Sequence, residues 1–183
     1  MAVLAGDKLF IYAFEIAAKA FALTDRADLV GKAISILANK AGIYGMIGGQ
    51  SVDVEYTDRP VTKSQLEFIY ELKTAALLEA AMMIGAVLAG ADDNQVQAAE
   101  QIAHHVGMAF QIRDDILDVI STTEELGKPV KSDEKNNKTT YVTIYGLDGA
   151  SKLVEEYSHT AMTLLDQVCP NASFLKRLFE YLI

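Results

Sequence analysis

Only three prolines interrupt this 183-residue chain, at positions 60, 129 and 170, and the apolar residues between them recur at helical spacing. Helices of many turns are therefore allowed, since proline is the residue that most directly stops one. Alanine, leucine, isoleucine and glutamate are plentiful and favour helix over strand. No segment sustains alternation at period two, so the expected fold class is all-α, as one helical domain over residues 1–183. Helices are expected at about 1–23, 29–46, 62–90, 94–120, 139–145, 149–168 and 173–183. Thr62 with Gln65, and the ADDN stretch at 91–94, supply helix-start chemistry. Asp25 and Asp28 do the same for the second helix. Gly45, Gly48 and Gly49 are expected to loosen the end of that helix and to let neighbouring backbone approach. Residues 121–140 read as a polar loop. Apolar periodicity already runs at Met1 with no cap before it, as though the chain starts inside a helix.

Charge narrows the partners. The formal net charge is −9, and no stretch concentrates lysine and arginine, which argues against nucleic acid and for cations. Cys169 is the sole cysteine, so there is no internal disulfide framework, and its place before Pro170 without basic neighbours gives it a structural role. The longest strictly apolar run, Ala80 to Ala91, is too short to span a bilayer. The opening residues lack the pattern of a signal peptide. A cytoplasmic location is expected.

The sharpest local feature is the stretch Phe110-Gln111-Ile112-Arg113-Asp114-Asp115-Ile116-Leu117-Asp118. On a helix Asp114 and Asp118 share a face, with Asp115 about 100° away. Carboxylates at that spacing repel by roughly 0.2–0.5 kcal/mol, and the nearby helix C-terminus disfavours them further. Ile112, Ile116, Leu117, Val119 and Ile120 surround them with apolar surface. A narrow acidic stripe on an otherwise apolar helix calls for a cation opposite, and Mg²⁺ takes carboxylate oxygens while completing its shell with water and phosphate. A solvated acidic face would be wider and mixed with lysine or serine.

Lysines make phosphate the more specific expectation. Lys73-Thr74 lies mid-helix beside a nearly apolar run, an unfavourable place for an ammonium without an anion. Lys128, Lys131, Lys135 and Lys138 populate the loop after the acidic stripe, from which they can fold back towards a metal-held phosphate. His104 and His105 read as ordinary helix residues, and Tyr141 and Tyr145 as packing residues.

At these residues the chain resembles the trans-prenyl diphosphate synthases (polyprenyl synthetases) of the farnesyl or geranylgeranyl type. FQIRDDILD matches the family's second aspartate-rich motif, and LAGDKL, GMIGGQSVD, LKTAALLEAA, LGKPVKSD, NNKTTYVTIYG and FEYLI extend the likeness over nearly the whole chain. The resemblance implies an isoprenoid-synthase helical bundle and a Mg²⁺-dependent condensation of isopentenyl diphosphate with an allylic diphosphate. It implies that Asp114 binds metal directly, with Asp115 and Asp118 supporting the metal and its waters. Lys73, Lys128 and Lys138 would hold the allylic diphosphate. Thr74 and Gln111 would line the place where the cation forms and a proton leaves. Gln50, Asp53 and Phe110 would line the cavity. A homodimer built from residues 1–23 and 29–46 is implied as well.

The chain departs from the family pattern at several points, the family's basic C-terminal tail being one feature not found. No first aspartate-rich motif occurs, so the expectation is a bundle truncated at its N-terminus that holds one half of the site and is inactive alone. The basic residues that seat isopentenyl diphosphate are also missing. Lys131 stands where the family usually has glycine. Two other functions share the pattern: a non-catalytic subunit that completes a partner's site, and a terpene cyclase.

Overall fold

The computed structural model describes residues 1–122 and 138–183, and every regular element among them is helical. Helix α1 spans Ala2–Ala18 and tightens into a 3₁₀ turn at Lys19–Ala22. Helix α2 covers Ala27–Ala41, α3 Met46–Glu55 and α4 Lys63–Tyr70. A π-helical segment, Glu71–Ala75, joins α4 to α5 at Ala76–Leu88. Helices α6, Asp93–Ile120, and α7, Tyr141–Val168, are the long ones, and α8 closes the described chain at Ser173–Leu182.

The start signals in the sequence behave as their chemistry requires. Thr62 accepts from the Gln65 backbone N–H while the Gln65 side chain accepts from the Thr62 N–H, a reciprocal box that satisfies two otherwise orphaned donors. Asp92 and Gln95 do the same at the start of α6. At α2 the expectation is half right: Arg26 occupies the cap position and Asp28 lies in the first turn, where the two side chains pair at 2.9 Å.

Two expectations are corrected, and a third holds. The glycine-rich stretch after residue 45 forms α3 instead of dissolving, so α2 ends at Ala41, well short of residue 46. The helix expected over 62–90 is not uniform, because the π segment inserts at Lys73-Thr74. Residues 141–168 form one run, broken where Gly146 adopts φ 72°, a left-handed conformation that only glycine takes readily. The break falls where two helices were expected.

Burial concentrates around α6. Its residues Met108 and Ile112 pack with Leu66, Ile69 and Tyr70 of α4 and Tyr141 and Ala150 of α7. Further along, Ile102 and Val106 meet Ala161, Leu165 and Phe179 of α7 and α8. Val96 meets Ala33 and Val87, joining α2 and α5. Helix α1 has no buried residue, and it exposes Leu4, Leu9, Ile11 and Ile16. An apolar helix with no buried residue presents a surface that association with more protein would cover.

Candidate active site

The site starts from a close backbone approach. A Cβ at Gly49 would lie 2.4 Å from the Lys73 backbone nitrogen and 2.9 Å from the Leu72 carbonyl carbon, so only glycine lets α3 lie directly on the π segment. One turn beyond Gly49, the Asp53 carboxylate reaches Lys73 and accepts from its Nζ at 2.5 Å. Lys138 Nζ lies 3.6 Å from the other oxygen of the same carboxylate. Burial pushes the Asp53 carboxyl up, but the hydrogen bond from Lys73 and the charges of both lysines outweigh it and hold the group below its ordinary value. The anion that a mid-helix ammonium demanded is thus supplied in part from within the chain. Asp53 and Lys138 also line a cavity of about 380 Å³ with Tyr56, Thr57, Arg59 and Thr139.

The π segment turns Lys73 and Thr74 towards different neighbours. While Lys73 meets α3, Thr74 Oγ1 donates to Gln111 Oε1 on α6 at 2.7 Å. That bond leaves the Gln111 amide nitrogen to donate elsewhere, one turn from Asp114 on the same helix. Single π turns inside α-helices recur at functional sites because they re-aim adjacent side chains.

The three aspartates have distinct surroundings. Asp115 is buried, and its Oδ2 accepts from the Tyr70 hydroxyl at 2.6 Å and from the Tyr141 backbone N–H at 3.1 Å. Tyr141 is the first residue of α7, so the Asp115 carboxylate serves the positive end of that helix and ties α4, α6 and α7 together. Asp118 is also buried. Asp114 is half-buried and lines a separate cavity of about 270 Å³ with Phe110, Arg113, Leu117, Tyr181 and Leu182. Arg113 Nη1 donates to the Tyr181 carbonyl at 3.3 Å, holding the end of α8 beside the acidic stripe.

Among the described residues, no group of three or more His, Cys, Asp or Glu side chains converges to hold a metal without outside ligands. This donor set fits Mg²⁺, which binds through one or two carboxylates and takes the rest of its octahedron from water and substrate phosphate. Asp114, with Asp118 one turn on, would offer those carboxylates, whereas Asp115 is engaged by the Tyr70 hydroxyl and the Tyr141 backbone N–H.

Of the residues expected from sequence, the structure joins Asp53, Lys73 and Lys138 in one group and Thr74 with Gln111 in another. Gln50 is exposed on α3, before Asp53. Lys128, Lys131 and Lys135 lie outside the described residues. Sequence reasoning missed Tyr70, whose hydroxyl has no local pattern to mark it, and a charged cluster of Lys40, Glu79, Glu100 and His104. Glu79 could have been noticed, since it directly precedes the apolar run at 80–91 and a carboxylate there needs a partner.

Comparison with known proteins turns this arrangement into a family assignment. The model of the family described as polyprenyl synthetase matches residues 1–171. The chain belongs to the polyprenyl synthetase family. Among its relatives, the farnesyl diphosphate synthase of Geobacillus stearothermophilus is 41% identical over 152 residues, covering 83% of this chain and 51% of that protein. The geranylgeranyl diphosphate synthase of Cyanophora paradoxa is 42% identical over 156 residues, covering 85% and 52%. The crystal structure of an FPP/GFPP synthase from Zymomonas mobilis superposes with a TM-score of 0.84 at 27% identity, over all of this chain and 60% of that one. A Helicobacter pylori geranyltransferase, crystallised with magnesium and isoprenyl diphosphate, gives 0.83 at 32% identity, over 99% and 58%. The fold is therefore the all-α isoprenoid-synthase bundle, and this polyprenyl synthetase chain spans about half the length of the curated relatives it matches.

Proposed function

We propose that the intact protein is a Mg²⁺-dependent prenyltransferase that condenses isopentenyl diphosphate with an allylic diphosphate, and that this chain supplies the second aspartate-rich half of the site as one helical domain. The observation that carries the reading is the placement of Lys73 and Lys138 around Asp53, beside a π segment that also aims Thr74 at Gln111 next to the aspartate stripe. Asp114 and Asp118 would hold Mg²⁺, which supplies Lewis-acid stabilisation of a departing diphosphate.

The chain's own residues explain the rest. Lys73 and Lys138 exchange Asp53 for diphosphate oxygens. Asp53 keeps both ammonium groups aimed until then. Thr74 fixes the Gln111 amide beside the place where positive charge develops and a proton leaves. The matched family and its named relatives are synthases, which gives neither the terpene cyclase nor the non-catalytic subunit any support.

The reading extends to assembly and location. A homodimer through residues 1–23 and 29–46 would cover the bare apolar surface of α1. A cytoplasmic location agrees with a lone exposed Cys169, and no helix among the described residues is long and apolar enough to cross a membrane.

Titration calorimetry with Mg²⁺ and inorganic pyrophosphate tests the site. Asp114→Ala is expected to weaken Mg²⁺-dependent pyrophosphate binding with little change in thermal stability. Equal binding by the parent and the variant would remove the metal assignment.

A further inference from the structure

A second charged group lies apart from the aspartate stripe and takes no part in the chemistry proposed above. Lys40 Nζ donates to Glu79 Oε2 and to Glu100 Oε1, both at 2.5 Å. The other Glu79 oxygen lies 3.0 Å from His104 Nδ1. Glu79 is buried, and the Lys40 side chain is only 17% exposed, so the two charges are held largely out of water. Such a pair contributes little net stability but fixes geometry strongly, because separating the partners strands a buried charge. The three elements it joins are α2, α5 and α6.

Lys40 sits at a mechanically specific place. It is the penultimate residue of α2, and the chain then turns back so tightly that a Cβ at Gly45 would lie 1.9 Å from the Lys40 carbonyl oxygen. Gly45 is the cap of α3, whose Gly49 rests on the Lys73 backbone and whose Asp53 reaches the Lys73 ammonium. The backbone of Lys40 therefore abuts the root of α3, and its side chain is locked to α5, which continues the π segment bearing Lys73 and Thr74, and to α6, which bears Gln111. Only a few residues of tight turn separate that lock from α3.

We propose that Lys40 is a positioning residue: clamped by Glu79 and Glu100, it seats the root of α3 so that Asp53 meets Lys73. The functional weight of this seat rests on the diphosphate role given to Lys73, but the seat itself can be measured without substrate. If α3 loosens, Asp53 loses its lysine partners and its carboxyl returns upwards towards the ordinary aspartate value.

The test is a carbon-13 NMR titration of the Asp53 carboxyl in the whole chain, without metal or diphosphate. Lys40→Met is expected to raise the Asp53 pKa by about half a unit or more, and Lys40→Arg to restore most of the parent behaviour. Glu100→Gln separates positioning from direct electrostatics and also serves if Lys40→Met fails to fold. Removing that negative charge would by Coulomb effect alone lower the Asp53 pKa, whereas loosening α3 raises it. A raised value in Glu100→Gln supports the proposal, and an unchanged or lowered value overturns it. Because pyrophosphate binding is not the readout, failure here is distinguishable from failure of the proposed function.

Discussion

Replacing Gly49 by alanine strikes the contact on which the site is built, and its consequence can be worked out beforehand. The added methyl would stand 2.4 Å from the Lys73 nitrogen and 2.9 Å from both the Leu72 carbonyl carbon and Leu72 Cβ. Comfortable contact needs about 3.5 Å or more, so α3 must withdraw by roughly 1 Å. Two of those three atoms are backbone within a helix and cannot rotate aside. Overpacking of this kind typically costs about 1–3 kcal/mol, while the better helix propensity of alanine returns about 0.5–1 kcal/mol. The net loss is up to about 2.5 kcal/mol, which for a chain of 183 residues lowers Tm by up to roughly 10 °C. Gly85→Ala is the control, because nothing lies within 4 Å of its Cβ position in the middle of α5. That variant should gain about 0.5–1 kcal/mol in a parallel thermal melt. Gly49→Ala melting at or above Gly85→Ala would refute the close approach of α3 to Lys73.

Other expectations follow from single contacts. Tyr70→Phe removes a hydrogen bond to the buried Asp115 carboxylate and should lower stability in urea unfolding by about 1.5–3 kcal/mol. The hydrogen bond to Glu79 raises the His104 pKa above its ordinary 6.5, so the stabilisation it gives is full below pH 6.5 and fades as pH rises through the folded value. The stability difference between the parent and His104→Gln should accordingly shrink from pH 6 to pH 8; a constant difference would contradict the pairing. Burial pushes the His105 pKa down, and that part is common to both proteins and cancels; the smaller lowering by the His104 charge is lost in the variant.

The parts of the site that announce themselves in sequence are those whose local setting is energetically awkward. Three carboxylates on an apolar helix and an ammonium in mid-helix both demand partners, and the chain alone reveals the demand. It does not reveal who answers. Asp53 meets Lys73 from 20 residues away, Tyr70 meets Asp115 from 45, and Lys40 meets Glu100 from 60. Those separations carry no period and no motif, so only folding brings the partners together. Helix α3 was illegible for a related reason: glycines that weaken a helix taken alone are what permit this one to lie against Lys73. The π segment at Glu71–Ala75 left no trace in a sequence whose apolar spacing reads as continuous helix. The capping boxes at Thr62 and Asp92 were legible because each is complete within four residues.

The most direct measurement of the central claim is prenyl transfer by a chimaera in which this chain replaces the matching half of the Geobacillus farnesyl diphosphate synthase. It would be supplied with isopentenyl and geranyl diphosphates, with Mg²⁺ or with EDTA. The account predicts Mg²⁺-dependent elongation that falls by about a hundredfold or more when Asp114→Ala is introduced. Elongation undiminished by Asp114→Ala would contradict the claim that this half of the chain holds the metal for the departing diphosphate.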